Sequence, residues 1–309
     1  MRRPHLTRRA LLASGASFAA AAALPSASRA QGAALPAEAL RRIPSSGEMV
    51  PSVGLGTWIT FNVGDDPVLQ AACNDVMAAF FAAGGRVIDS SPMYGSAQAV
   101  IGRGLAALGT PPDLFAADKV WTSGDGPAQM EDSRRHWGVR HFDLMQVHNL
   151  LAWEEHLPTL FAMKAAGQAR HVGITTSEGR RHDLFEEVMR TQPLDFIQVT
   201  YNILDREVEQ RILPLARERG MAVMVNRPFQ QGALTRRLAR EKLPGWAGEI
   251  GATSWAQAIL KFILSHPDVT VAIPATSRVD HVRENVAAAT GPLPDAALRR
   301  RMAADVAAL

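Results

Sequence analysis

The chain has 309 residues, 47% of them hydrophobic and 20% charged, a globular composition long enough for a large core and within the range of one α/β barrel. The formal net charge of +3 comes from one end: residues 1–30 hold Arg2, Arg3, Arg8, Arg9 and Arg29 and no acid, and outside them 28 basic residues face 30 acidic ones. The body therefore gives no charge argument for nucleic acid or an anionic membrane surface, and a single Cys73 excludes an intrachain disulfide and leaves no ligand spacing for zinc.

The first residues read as an address. Thr7-Arg8-Arg9-Ala10-Leu11-Leu12 puts two arginines ahead of an alanine-rich run that ends at Leu24, and Ser28-Arg29-Ala30 offers small residues where a signal peptidase cuts. A basic start, a short apolar middle and a small-residue cut make a secretory leader, too short to be a spanning helix with its own flanks. The paired arginines resemble twin-arginine signals, which carry folded cargo. The expectation is a signal peptide over 1–30 cut after Ala30, a linker over 31–39, a barrel over 40–309 and a periplasmic or exported product. The alternative is an alanine-rich tail.

From residue 40 the pattern repeats as strand and helix at intervals of about 30–40 residues. A small hairpin is predicted over 41–51, with Ser46-Gly47 as its turn. Strands are predicted at 54–58, 86–89, 114–119, 142–148, 171–175, 196–200, 221–226 and 269–273. Helices are predicted at about 68–83, 97–108, 128–137, 154–166, 205–219 and 279–289. Two more are expected, one capped by Ser177 with Leu184, Phe185, Val188 and Met189 on one face, and one capped by Thr253 or Ser254. Eight alternating units imply a closed (β/α)8 barrel. The doubly wound alternative lacks its glycine fingerprint, because Gly54-Leu55-Gly56 runs into Thr57-Trp58.

Three consecutive strands end on chemistry-bearing residues: Asp89, with Tyr94 five residues on, then Lys119, then His148. Barrel topology sets these ends side by side at the carboxyl rim. There Lys119 would favour the phenolate of Tyr94 and lower its pKa, Asp89 would keep Lys119 charged and oriented, and Tyr94 could give a proton to a carbonyl oxygen that His148 also binds. Such a set polarises a C=O and needs a hydride donor. The plain alternatives are a structural Asp89–Lys119 ion pair and a core histidine, against which stands the scarcity of tyrosine, of which the chain has 2.

The chain resembles the aldo-keto reductases. Gly56-Thr57-Trp58, Asp89-x-x-x-x-Tyr94-Gly95, Lys119-Val120-Trp121 and Gln146-Val147-His148 match that family's motifs in order, over residues 40–290. The resemblance implies Tyr94 as proton donor, with Asp89, Lys119 and His148 completing a tetrad, Trp58 and Trp121 as pocket aromatics, and Thr57 and Trp58 beside the cofactor. It implies that Thr175, Thr176 and Gln198 hold the nicotinamide amide, although Thr176 stands where the family has asparagine. Pro228, Phe229, Gly232 and Leu234 resemble the loop that closes on the pyrophosphate, while Asn226 stands where an aromatic often underlies the nicotinamide. Thr276, Arg278, Glu284 and Asn285 fall at the adenosine end, where a helix N-terminus suits an anion.

With the family's usual lysine and arginine replaced by Ala275 and His281, Arg278 is expected to take a 2′-phosphate, favouring NADP(H), with NAD(H) as the alternative. Substrate specificity is expected in the loops around 121–130, 149–154 and 230–251, with Asn149 as a substrate contact. A monomer acting on a small carbonyl compound is the default. A nucleotide-binding sensor or partner subunit with little turnover is the second reading, and an isomerase or lyase forming a Schiff base on Lys119 the third.

Overall fold

The computed structural model describes residues 34–309; the expected leader and the start of the linker lie outside them. The described chain enters through a 3-10 turn, Ala37–Ala39, and makes the expected hairpin, with β1 (Leu40–Arg42) antiparallel to β2 (Met49–Pro51). Hairpin residues Ile43 and Val50 share an apolar cluster with Val87, Phe115, Leu144 and Phe196, so the hairpin plugs the end of the barrel where the strands begin. Glu48 beside its turn pairs with Arg170, the second residue of a barrel strand, at 2.6 Å.

The barrel units follow. They are β3 (Leu55–Gly56) with α1 (Pro67–Ala82), β4 (Val87–Asp89) with α2 (Ala97–Leu108), and β5 (Phe115–Val120) with α3 (Gly126–Trp137). Next come β6 (Phe142–Val147) with α4 (Trp153–Ala165), β7 (Ala169–Thr175) with α5 (His182–Thr191), and β8 (Phe196–Thr200) with α6 (Ile212–Glu218). Then β9 (Ala222–Asn226) leads through the short α7 (Ala233–Leu238) and α8 (Trp246–Glu249) to α9 (Trp255–Leu264), and β10 (Val271–Ala272) leads to α10 (Val279–Ala287) and α11 (Ala296–Ala308).

The eight strands β3 to β10 lie in sequence order, each parallel to the next. The seam is closed by parallel bridges from Val53 to Ala272 and from Gly56 to Ala275. A Cβ on Gly56 would stand 2.6 Å from the Ile273 carbonyl oxygen, so glycine is what lets the first and last strands meet. Asp66, Asp125, Ser254 and Asp295 each accept a backbone N–H at the start of α1, α3, α9 and α11. Each cap is worth about 1 kcal/mol.

Five helices depart from expectation. Ser177 caps nothing: the next helix starts at His182, and a loop holding Glu178 and Arg181 at φ of 61° and 54° intervenes. The face of Phe185, Val188 and Met189 is buried as expected. The helix expected over 205–219 is a 3-10 turn, Glu207–Glu209, followed by α6. Pro214 lacks the N–H that a continuous helix would need there and is accommodated in the first turn of α6. The irregular stretch after β9 contains α7 and α8, and α11 was not expected. Among the described residues, no helix is long and apolar enough to cross a membrane.

Candidate active site

Strand alternation builds the site in layers. The barrel interior holds Val87, Ala117, Leu144, Phe196 and Met224, and two residues further along each strand, on the same face, stand Asp89, Lys119, Gln146, Gln198 and Asn226. An apolar plug thus lies beneath a polar layer at the carboxyl ends of the strands. His148, two residues past Gln146, begins the turn beyond β6 and is 5% exposed.

Lys119 Nζ donates to Asp89 Oδ2 at 2.6 Å and to the Ser90 carbonyl at 2.7 Å, and its side chain is fully enclosed. Asp89 Oδ1 accepts from Gln198 Nε2 at 2.9 Å and, longer, from Gln146 Nε2 at 3.4 Å. The hydroxyl of Thr57 donates to the Asp89 carbonyl at 2.9 Å, which fixes the strand end carrying the acid. Tyr94 sits on the 3-10 turn Pro92–Tyr94, its ring centroid 5.1 Å from Lys119 Nζ and 5.7 Å, edge to face, from the His148 ring. Asn62 Oδ1 accepts from the Ser96 N–H at 3.0 Å and so anchors the far side of that turn, packed where a side chain on Gly95 would otherwise lie.

Burial dominates the electrostatics. It pushes the Tyr94 phenol up to about 12, against the pull of Lys119 and with a further push from Asp89. This reverses the expected depression: Lys119 acts in the anticipated direction, but desolvation is larger. Tyr94 is accordingly a phenol, not a phenolate, at neutral pH. Burial is the largest influence on Lys119 and works against its charge, yet Asp89, Tyr94 and Asp118 together hold the ammonium above its ordinary value. Burial first and Lys119 second bring His148 down to about 2, so its ring is neutral.

Directly behind Lys119, Asp118 faces outward and is fully buried; it accepts from Gln98 Nε2 at 2.7 Å and from the Lys119 N–H at 2.7 Å. Burial raises its carboxyl to about 7. The folded protein therefore holds a proton there that the unfolded chain, titrating near a carboxylate's ordinary value of about 3.9, releases at lower pH. This group's contribution to stability falls as pH rises from about 4 through about 7. Asp118→Asn keeps an acceptor for the Lys119 N–H and removes the charge. It is expected to raise the melting temperature by several degrees at about pH 8 and hardly at all at about pH 4. Thermal melts at the two pH values check this, and equal shifts at both would reject it.

A cavity of about 800 Å³ opens above the polar layer and runs from Trp58, Tyr94 and His148, past Thr175 and Gln198, to Arg278, Glu284 and Asn285. Thr57, Asn149, Pro228, Phe229, Gly232 and Thr276 also line it. Four expected site residues lie outside its wall. Lys119 is enclosed beneath it, paired with Asp89. Trp121 is 41% exposed on the surface, its backbone held by the Gln129 side chain. Leu234 is packed in the core at 1% exposure. Thr176 turns its hydroxyl to the Arg180 carbonyl at 2.6 Å.

Several further residues stand at the site. Gln146 was signalled by its inward register with His148, and Ser91 by its place inside the Asp89–Tyr94 motif. Glu178, Arg180 and Arg227 line the cavity without any prior local signal. Arg227 pairs with Glu178 at 2.7 Å, and its buried Nε has no partner among the described residues. A long slot with cationic side chains, one of them short of an acceptor, fits an anionic dinucleotide. At its far end the Thr276 hydroxyl accepts from the Arg278 N–H at 3.1 Å, shaping the entry to α10. The Arg278 guanidinium is paired with Asp280. No cluster of metal-ligating side chains occurs among the described residues.

The barrel, its sealed floor and a phenol–ammonium–carboxylate–imidazole group at its mouth define a class of (β/α)8 protein with its chemistry at the strand ends. The sequence profile of the aldo/keto reductase family matches residues 52–303, and the chain belongs to that family. Among curated relatives it is 26% identical to the NADH-specific methylglyoxal reductase of Escherichia coli, over 81% of this chain and 94% of that protein. It is 25% identical to the L-galactose dehydrogenase of Arabidopsis thaliana, over 81% and 88%. Among solved structures, an aldo/keto reductase from Klebsiella pneumoniae in complex with NADP and acetate shares the fold with a TM-score of 0.68 at 23% identity, covering 83% of this chain and 91% of that one. A glycerol dehydrogenase from Gluconobacter oxydans shares it with a TM-score of 0.70 at 21% identity, covering 88% and 96%.

Proposed function

We propose that the chain reduces a small aldehyde or ketone to an alcohol at the expense of NAD(P)H, with Tyr94 as proton donor and Asp89, Lys119 and His148 as the rest of the catalytic set. The observation that carries this is the pairing of a neutral phenol and a neutral imidazole, 5.7 Å between centroids, at one end of a cavity of about 800 Å³ that reaches Arg278 and Asn285. When bound, the nicotinamide supplies the hydride. Tyr94 and His148 bind and orient the carbonyl oxygen, and Tyr94 gives its proton as negative charge develops there. Lys119, buried behind the ring, favours the charge left on the phenol, and Asp89 holds Lys119 in place. The Schiff-base reading loses ground here, since Lys119 is enclosed and its ammonium held above its ordinary value, whereas a nucleophilic amine must be neutral and reachable.

For the cofactor, Trp58, Thr175 and Gln198 are assigned to the nicotinamide end, Arg227, Pro228, Phe229 and Gly232 to the pyrophosphate, and Thr276, Arg278, Glu284 and Asn285 to the adenosine. The Arg278–Asp280 pair bears on cofactor choice: a 2′-phosphate must compete with Asp280 for the guanidinium, so NADP(H) preference is modest and NAD(H) is accepted. Arg278→Ala is expected to weaken NADPH binding about tenfold, the loss of one charge-assisted contact, and to leave NADH binding unchanged. Fluorescence titration of both nucleotides reads this, and an equal loss for both would remove Arg278 from phosphate recognition. The reading as a whole is tested by following NADPH and NADH oxidation against a panel of small aldehydes and ketones.

A second reading rests on Asn226. Its side chain accepts from Thr200 at 2.7 Å and donates to the Thr176 carbonyl at 3.0 Å, so the cavity wall is polar where stacking on the nicotinamide is common in the family. That favours a nucleotide-binding sensor with slow turnover, in which Tyr94→Phe leaves the task intact. The N-terminal twin-arginine pattern supports cytoplasmic folding, loading with nucleotide and export of the loaded enzyme. Mass spectrometry of the exported protein is expected to find a chain starting at Gln31 with nucleotide bound, and an uncut, nucleotide-free product would reject it.

A further inference from the structure

The Ser91 hydroxyl lies 2.8 Å from His148 Nδ1, and both residues are buried, at 0% and 5% exposure. The same oxygen accepts the Met93 N–H at 3.1 Å and so caps the 3-10 turn that carries Tyr94. A hydroxyl has one proton and two lone pairs. The Met93 N–H can only donate, so it takes a lone pair and fixes how the hydroxyl sits. If Nδ1 also donated to this oxygen, the hydroxyl proton of a fully enclosed serine would have no acceptor, a costly arrangement. The economical one has Ser91 donating to Nδ1, which leaves the ring's proton on Nε2.

His148 lines the cavity, and among the described residues its Nε2 has no protein partner. Nε2–H is therefore the group available to a substrate oxygen. We propose that Ser91 is a positioning residue that locks His148 as the Nε2–H tautomer, so that the imidazole acts as a donor and never as an acceptor toward the carbonyl. This rests on the carbonyl-reduction reading for its catalytic meaning. Ser91 also ties both donors together, because the hydroxyl that orients His148 caps the turn that presents Tyr94.

Long-range proton–nitrogen NMR on protein labelled with 15N-histidine tests this. In the wild type, His148 is expected to show a protonated Nε2 and an unprotonated Nδ1. In Ser91→Ala the signal moves toward the other tautomer, turnover of the best carbonyl substrate falls about 10–100-fold, and dinucleotide affinity holds. Ser91→Thr, which keeps the hydroxyl, restores tautomer and turnover together. A protonated Nδ1 in the wild type overturns the proposal even if Ser91→Ala does not fold, and so does an unchanged tautomer in a folded Ser91→Ala. A locked Nε2–H tautomer in a protein that turns over no carbonyl compound upholds the positioning role and sinks the reductase reading instead.

Discussion

Tyr94→Phe is expected to lower carbonyl turnover about 1,000-fold, within the range of a positioned general acid, while the affinity for NADPH stays within about twofold of wild type. The substitution removes one oxygen from a side chain that packs beside His148 and Lys119, so the ring contacts and the buried ion pair persist. The high phenol pKa, pushed to about 12 by burial, gives the prediction a second arm. Reduction uses the protonated form, which prevails across the neutral range, and needs no deprotonation beforehand. Alcohol oxidation begins from the phenolate, so its rate rises with pH toward about 12 while reduction stays level around neutrality. Steady-state rates in both directions from about pH 6 to pH 10 check this. A phenylalanine variant with wild-type turnover would move the proton donor elsewhere.

Lys119→Met should damage stability and chemistry at once. It removes the ammonium 2.6 Å from Asp89 Oδ2 and leaves a carboxylate buried with only the Gln198 and Gln146 amides as partners. Breaking a buried pair from one side costs about 3–5 kcal/mol. The double variant Asp89→Asn with Lys119→Met removes the stranded charge as well and is expected to regain most of that loss. Turnover should not return with it, because the phenolate left after proton transfer then has no cation beside it. Urea unfolding and steady-state assays on the three variants separate the two effects. If Lys119→Met unfolds at the wild-type midpoint, Asp89 is not relying on that ammonium.

The barrel was legible because its two periods are physical. Every second strand residue faces the interior, so Val87 with Asp89 and Ala117 with Lys119 could be assigned to one face each from the sequence. Caps at Ser254 and glycine stops were equally readable. Depth was not. Burial depends on what the rest of the chain places around a residue, so the direction of the Tyr94 shift and the raised carboxyl of Asp118 emerge only in three dimensions. Partners far apart in sequence were hidden for the same reason: Ser91 meets His148 across 57 residues. Trp121 follows Lys119 by two residues, yet β5 ends at Val120 and the tryptophan is carried outward onto the surface. In α11 the Asp295 cap was visible, but only Met302, Ala303 and Val306 are buried, and so few apolar contacts give a weak periodic signal.

The seam of the barrel bears on how the chain comes into being. Val53 and Gly56 find their partners in Ala272 and Ala275, more than two hundred residues downstream. Until the ribosome has released that distant segment, the sheet has two unsatisfied margins, each able to pair with a neighbouring nascent chain. Closure is thus among the last events of synthesis, and the polar layer at the mouth of the barrel acquires its final shape only then. Such a molecule gains from remaining where chaperones are plentiful until the circle is complete.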